Sequence, residues 1–305
     1  MKSKFNFNIR YVLLALALLV VYIIAGKFGL SMAYYNKSAS PIWIPTGLAM
    51  AALLLFGYRF WPSVAIGAFL VNITTTPSIP VSLGISLGNT LESLAGVYLI
   101  NRFANGADLF KKVKTYFTFF LIACLVPLIS AIVGVTSLSI GNFAQVENLW
   151  VIGTTWWIGD VIGALLVLPL IVTLYNKPQL KIKKERYLEI LLATFILIVI
   201  ALIIFMGWPI QINKAYRIGF LCLPPLLWIS FRSCLRISII TTVLTSAIAI
   251  AGTILNIGVF NIGSINTALV LVQLFIGVLT VTVISVSVIA IEYKKVVSQT
   301  NARIS

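Results

Sequence analysis

The sequence predicts an all-α protein, a polytopic integral membrane helical bundle of about ten spans, from its composition and its charge distribution. Of the 305 residues, 60% are apolar and only 10% are charged, whereas soluble domains carry about 25% charged residues. The formal charge is +15, and in so apolar a chain this excess indicates the basic flanks of membrane spans rather than nucleic-acid binding. A soluble domain is therefore excluded, and no nucleic-acid partner is expected.

Ten apolar segments approach the length of about 20 residues that a membrane-spanning helix needs. They are Tyr11–Met32, Ile42–Gly57, Trp61–Thr76, Val81–Ile100, Thr115–Val133, Leu149–Leu174, Tyr187–Met206, Ile218–Ser230, Ile237–Asn256 and Ile265–Ile291. The second, third and eighth are short, so eight spans remain possible if one short pair is re-entrant. The first is longer than the apolar region of a cleaved signal peptide, about 7 to 15 residues, and is expected to be a retained anchor.

The positions of the basic residues predict the orientation of these spans. With ten spans and the N-terminus inside, eighteen of the 22 Lys and Arg residues fall in cytoplasmic segments. This distribution follows the positive-inside rule and predicts that both termini are cytoplasmic. Basic loops on that side are expected to contact anionic membrane lipid. Residues 1–291 are thus interpreted as the membrane domain, and residues 292–305 as a cytoplasmic tail.

Two stretches suggest an internal duplication. Ser40–Arg59 and Leu223–Arg232 each combine prolines, a short apolar helix and an aromatic residue beside an arginine. The two arginines are separated by six predicted spans. This offset suggests that spans seven to ten repeat spans one to four in parallel, as occurs in transporters. The alternative is that Pro and Trp simply gather at helix starts.

Residue types that are absent exclude several chemistries. The chain has no histidine and only three cysteines, which lie in or beside apolar runs without CxxC spacing. Histidine-based catalysis, a zinc site and a disulfide framework are therefore not expected. No catalytic residue, resident metal or cofactor is predicted, and the protein is not expected to be an enzyme.

Two acidic residues in the apolar segments are the main candidates for a functional site. Glu92 and Asp160 each lie about 15 to 17 Å from the outer end of their predicted helices, where a charge costs about 2.5 to 3.5 kcal/mol on insertion scales. If the helices touch, the pair could share a proton, bind a cation or a basic ligand group, or be neutralised by Lys27. The alternative is that each acid only locks helix packing through hydrogen bonds.

The neighbours of the two acids favour a built ligand site. Asn89 shares a helix face with Glu92, and Trp156 and Trp157 precede Asp160, where an indole can donate a hydrogen bond or stack on a ligand. Glycine pairs at four-residue spacing accompany both acids and permit close helix approach. These pairs are Gly84 with Gly88 and Gly159 with Gly163.

The proline-rich entrance to the second span is a candidate pocket wall. Irregular backbone at membrane depth is tolerated where it is packed in protein or lines a cavity. Trp43 lies in this entrance, and Thr46 is expected to cap the helix behind it. A simple interfacial turn is the alternative. Prolines inside later spans predict kinks, at Pro127 in the fifth span among others.

These motifs, in their order and spacing, resemble the first family of bacterial membrane-associated sensor domains (MASE). The matching stretches are Ala39–Gly47, Gly57–Pro62, Gly67–Asn72, Leu87–Glu92 and Trp156–Gly163. The resemblance implies a signal-input domain of the bacterial cytoplasmic membrane, with Asn89, Glu92, Trp157 and Asp160 at the family's polar intramembrane positions. It also implies a cytoplasmic output module, a histidine kinase or a diguanylate cyclase, and the tail at residues 292–305 would then begin a signalling helix.

The function predicted from the sequence is therefore sensing. A small ligand or a membrane property would act within the bundle, and the last helix would relay the change to an output module in cis or in trans, with a homodimer as a possible assembly. The main alternative is a solute transporter or membrane-embedded substrate binder, which the midplane carboxylates and the repeat would also fit. A structural subunit without a ligand is a third interpretation.

Overall fold

The computed structural model describes residues 9–32, 40, 42–176, 184–208 and 218–304. All regular secondary structure within these ranges is helical, so the predicted all-α class is confirmed for this part of the chain. Ala39 and Pro41 of the proline-rich entrance, and Ser305 of the tail, lie outside the described residues.

The described residues form a series of α-helices. They are α1 (Ile9–Ser31), α2 (Ile44–Phe56), α3 (Trp61–Ile73), α4 (Ile79–Phe103), α5 (Val113–Leu125), α6 (Pro127–Ile140), α7 (Leu149–Tyr175), α8 (Tyr187–Ala201), α9 (Leu223–Arg232), α10 (Leu235–Ile254) and α11 (Ile265–Ile304). A π-helical turn over Leu202–Met206 extends α8. The helix α11 is 40 residues long and runs through the tail that was assigned to a signalling helix.

Seven helical segments in the described ranges are long and apolar enough to cross a membrane. They correspond to α1, α4, α5 with α6, α7, α8, α10 and α11. The predicted second, third and eighth spans form the shorter helices α2, α3 and α9, of 13, 13 and 10 residues. The count of ten spans, the cytoplasmic termini and the parallel repeat stay predictions.

The fifth predicted span, Thr115–Val133, is longer in the structure and is interrupted. α5 ends at Leu125, and α6 begins at Pro127 and continues to Ile140. Proline has no backbone N–H to continue the hydrogen-bond ladder, but it fits the first turn of a helix, where that group has no partner. The predicted kink at Pro127 therefore appears as the start of a new helix within one apolar segment.

The first of two compact units comprises Met1–Tyr98 and Leu125–Asp160. Its helices approach closely at glycines. A Cβ added to Gly26 of α1 would lie 2.8 Å from Val71 of α3, and one added to Gly88 of α4 would lie 3.1 Å from Val133 of α6. Gly84 faces Ser137 of α6 in the same way. The predicted close approach through Gly84 and Gly88 is confirmed, and it brings α4 against α6.

The second unit comprises Leu99–Cys124 and Val161–Ser305. Charged side chains join helix ends within it. The Glu292 carboxylate of α11 accepts a hydrogen bond from the Val113 N–H at the start of α5, at 2.8 Å. The Lys294 ammonium donates to the Phe231 carbonyl at the end of α9, at 2.9 Å. These two contacts hold α11 where its apolar part ends.

Candidate functional site

Glu92 of α4 and Asp160 of α7 lie in the interior of the first unit and share neighbours. Both are 0% exposed. Thr46 and Ser130 are neighbours of both carboxyl groups, which also interact electrostatically with each other. The two acids therefore belong to one cluster, built by α2, α4, α6 and α7.

Thr46 is turned toward Glu92. Its hydroxyl donates to Glu92 Oε2 at 3.3 Å, and α2 begins at Ile44, so Thr46 already lies inside the helix. The expected helix cap is therefore wrong: Trp43 occupies the N-cap position, and no side-chain capping bond is made there. The Thr46 hydroxyl instead donates a hydrogen bond to one acid of the carboxyl pair.

Trp43 fastens the entrance of α2 to both acid-bearing helices. Its backbone N–H donates to the Gly159 carbonyl at 3.0 Å, one residue before Asp160. Its indole Nε1 donates to Asn89 Oδ1 at 3.0 Å, and Asn89 Nδ2 donates to the Ile85 carbonyl at 2.9 Å. Trp43, the residue before α2, is thus joined by hydrogen bonds to α7 and α4, the helices that carry the two acids.

Ser130 and Trp156 form the opposite part of the cluster. The Trp156 indole Nε1 donates to Ser130 Oγ at 3.1 Å, and both side chains are buried. Trp156 is also a polar neighbour of the Asp160 carboxyl. Of the adjacent pair Trp156 and Trp157, Trp156 is therefore the tryptophan that lies near the Asp160 carboxyl group.

Trp157 lies on a different face of α7. It is partly buried and lines an apolar cavity of about 440 Å³ between α6 and α7. Leu128, Ile132 and Trp150 line the same cavity, and Trp150 is 80% exposed. The structure thus places Trp156 with the carboxyl pair and Trp157 with this cavity.

Two site residues were missed by the sequence analysis, Ser130 and Tyr22. Tyr22 of α1 is 1% exposed, lies next to the Trp43 side chain and is within electrostatic range of both carboxyl groups. Gly67 of α3 makes room for its ring, because a Cβ there would lie 2.8 Å from it. The contact between Gly67 and Tyr22 depends on the packing of α3 against α1. The sequence alone therefore gave no indication that Tyr22 belongs to the site.

Three carboxyl oxygens of the pair have no hydrogen-bond partner among the described residues. They are Glu92 Oε1 and both oxygens of Asp160. The hydroxyl and indole groups named above lie near Asp160, but none has hydrogen-bonding geometry toward it. A buried polar atom without a partner is costly, so each of these oxygens calls for a proton or another partner.

Lys27 does not neutralise the pair. Its ammonium donates to the Val71 carbonyl at 3.1 Å and to Thr75 Oγ1 at 3.0 Å. The ion pairs formed within the described ranges join Lys111 to Asp108 and Arg232 to Glu189. Two unpaired carboxylates cannot both stay ionised in an apolar interior, so the pair must hold protons or a bound cation.

The family assignment agrees with this arrangement. No curated protein and no solved structure matches the chain. The model of the family MASE1 matches residues 14–294, and this family comprises membrane-associated sensory domains that are not themselves catalytic. Together with the seven membrane-length helices, the match identifies a multi-pass membrane protein. The resemblance noted in the sequence is therefore confirmed, and the chain belongs to the MASE1 family.

Proposed function

We propose that this protein is a signal-input domain. Its signal acts at Glu92 and Asp160, and α11 transmits the resulting conformational change to an output module. The observation that carries the proposal is the fully buried carboxyl pair with three unpartnered oxygens and no cationic side chain within 4 Å in the described part of the chain. Any change in what the pair holds changes the contacts of both carboxyl groups at the centre of four helices. Such a local change of charge or packing is a general way to bias a two-state element.

A route from the pair to α11 runs through α7. Ile162 follows Asp160 by two residues, and its Cδ1 would lie 3.2 Å from a Cβ on Gly277 of α11. A rotation or shift of α7 at Asp160 therefore acts directly on the helix that carries Glu292 and Lys294. For switching, the signal must bind two arrangements of these helices with different affinity.

The partners follow from the same route. We expect a cytoplasmic output module, a histidine kinase or a diguanylate cyclase, to be coupled to α11 in cis or in trans. A homodimer would bring two such helices together, and membrane lipid surrounds the bundle. The expected location is the bacterial cytoplasmic membrane with both termini inside.

The test is a chimera in which the whole chain is joined through α11 to a diguanylate cyclase. Asp160→Asn and Glu92→Gln are expected to change basal cyclase output about fivefold or more, the lower range of measured allosteric couplings. Asp108→Asn is the matched control, since Asp108 forms a half-exposed ion pair with Lys111. Unchanged output in both site variants at equal expression would refute the proposal.

A transporter remains the second candidate, favoured by the position of both acids near the middle of long helices. Transporters bind substrates and coupling ions at such depth. Proteoliposomes that contain the purified chain distinguish the two functions. A sensor binds its signal without flux, whereas a transporter moves the solute across the bilayer.

A further inference from the structure

We propose that Glu92 and Asp160, with the hydroxyls of Thr46 and Ser130, bind one small inorganic cation that prefers oxygen ligands, in competition with protons. This inference rests on the proposed function only in that it names what the sensing site takes.

The available ligand atoms are all oxygens. Glu92 Oε1 and both oxygens of Asp160 are unpartnered. The Thr46 hydroxyl donates its proton to Glu92, so its oxygen lone pairs stay available to a cation. The Ser130 oxygen accepts one hydrogen bond from Trp156 and has a second lone pair available. Carboxylate and hydroxyl oxygens suit the hard cations Na⁺, K⁺, Mg²⁺ and Ca²⁺. The described residues contain no group of three His, Cys, Asp or Glu side chains, which a zinc-type site would use.

Charge balance points the same way. A divalent cation neutralises two carboxylates, and a monovalent cation neutralises one while the other keeps its proton. Either state leaves the cluster neutral, which removes the cost of an unpaired buried charge. A pair that starts with both protons releases one for each positive charge that enters. Tyr22 is the further titratable group that faces the pair from α1.

The surroundings favour an ion over an organic ammonium ligand. Trp43, Trp156 and Tyr22 belong to the surroundings of the pair and are 6%, 5% and 1% exposed. The cavity of about 440 Å³ is lined by Trp157, and neither acid and neither hydroxyl residue of the site lines it. A dehydrated metal ion needs only the space between the ligand oxygens. The hydrogen bonds of Trp43 and Trp156 hold their rings in place, so the site is preorganised.

The experiment measures thermal denaturation of the purified full chain in detergent, as the loss of the monodisperse peak after heating. Sodium, potassium, magnesium and calcium chlorides are compared with N-methyl-D-glucamine chloride at equal ionic strength. We expect one of the metal ions to raise the midpoint saturably, since a ligand that binds the folded state stabilises it. The same ion should bind at one per chain in equilibrium dialysis.

Lowering the pH should weaken that binding. The apparent dissociation constant should rise about tenfold per pH unit for a monovalent ion that displaces one proton, and about a hundredfold for a divalent ion that displaces two. Asp160→Asn and Glu92→Gln should abolish the shift. Thr46→Val and Ser130→Ala keep both acids and should weaken affinity about tenfold, within the range found for supporting groups at metal sites.

Two control variants test specificity. Asp108→Asn removes a surface acid, and Ser93→Ala removes a buried hydroxyl that donates to its own helix at Asn89. Both should keep the shift. The inference is overturned if no metal ion differs from N-methyl-D-glucamine, or if the shift persists in the Asp160 and Glu92 variants. If the site variants change cyclase output but no ion binds, the proposed function is supported and the ion site is refuted. If an ion binds but the site variants leave cyclase output unchanged, the ion site is supported and the proposed function is refuted.

Discussion

The indole ring of Trp156 lies directly over Gly134 of α6. A Cβ on Gly134 would stand 2.6 Å from Trp156 Cη2, closer than any relaxed contact. Gly134 follows Ser130, the acceptor of the Trp156 hydrogen bond, by one helical turn. The position of the ring beside Asp160 thus depends on one missing side chain.

Gly134→Ala is therefore expected to displace the Trp156 ring and weaken its bond to Ser130. Overpacking of this kind costs about 1 to 3 kcal/mol, which should appear as a lower midpoint of thermal denaturation. Gly153→Ala is the matched control, because a Cβ there would meet Val135 at an ordinary 3.5 Å. Equal stability of the two variants would show that the ring can move freely.

Trp43→Phe should destabilise the entrance of α2. The variant keeps an aromatic ring but removes the Nε1 donor, which leaves Asn89 Oδ1 buried without its partner. An unsatisfied buried acceptor costs about 1 to 3 kcal/mol. Trp150→Phe, at a side chain that is 80% exposed, should leave the denaturation midpoint nearly unchanged, and a similar loss in both variants would argue against the hydrogen bond.

Larger residues at Gly277 should alter the output of the chimera. Gly277→Ala needs only a small adjustment of the Ile162 side-chain end, whereas Gly277→Leu must push α11 away from α7. We expect near-normal cyclase output from the first variant and a change of about fivefold or more from the second. Addition of Ile162→Ala to Gly277→Leu should restore output by reopening the space. Absence of this rescue would contradict the relay through α7.

Glu292→Ala should expose the first turn of α5. The Val113 N–H would lose its acceptor, and loss of a helix-terminal bond of this kind costs about 0.5 to 2 kcal/mol. Hydrogen exchange at Val113 should accelerate about tenfold, while Glu292→Gln keeps an acceptor oxygen and should exchange more slowly than Glu292→Ala. Lys295→Ala serves as the control, since Lys295 is an exposed neighbour on the same helix.

The helices and the acid pair were predictable because apolar helices and intramembrane charges leave strong sequence signals. Long apolar runs predicted α1, α4 and α7, and a carboxylate among them is costly enough to be conspicuous. The spacing of Gly84 and Gly88 likewise predicted a close helix neighbour. These signals are local, so they need no knowledge of the tertiary arrangement.

The remaining site residues depend on how the helices are rotated. Ser93 and Ser130 both lie within apolar helical segments, so the sequence does not distinguish them. In the structure the Ser93 hydroxyl donates to its own helix, whereas the Ser130 hydroxyl accepts a hydrogen bond from Trp156. Trp156 and Trp157 point about 100° apart on one helix, and only packing decides which faces Asp160. Thr46 was expected at a helix end because threonine is a common capping residue, whereas α2 already begins at Ile44.

The bond from Trp156 to Ser130 also gives the carboxyl pair an optical reporter. Indole emission responds to the charge and hydrogen bonding around the ring, and this ring touches the neighbour that Glu92 and Asp160 share. Subtraction of the spectrum of Trp156→Phe from that of the native chain, which has seven tryptophans, would isolate its emission. Occupancy of the buried site then becomes visible in real time without any attached label.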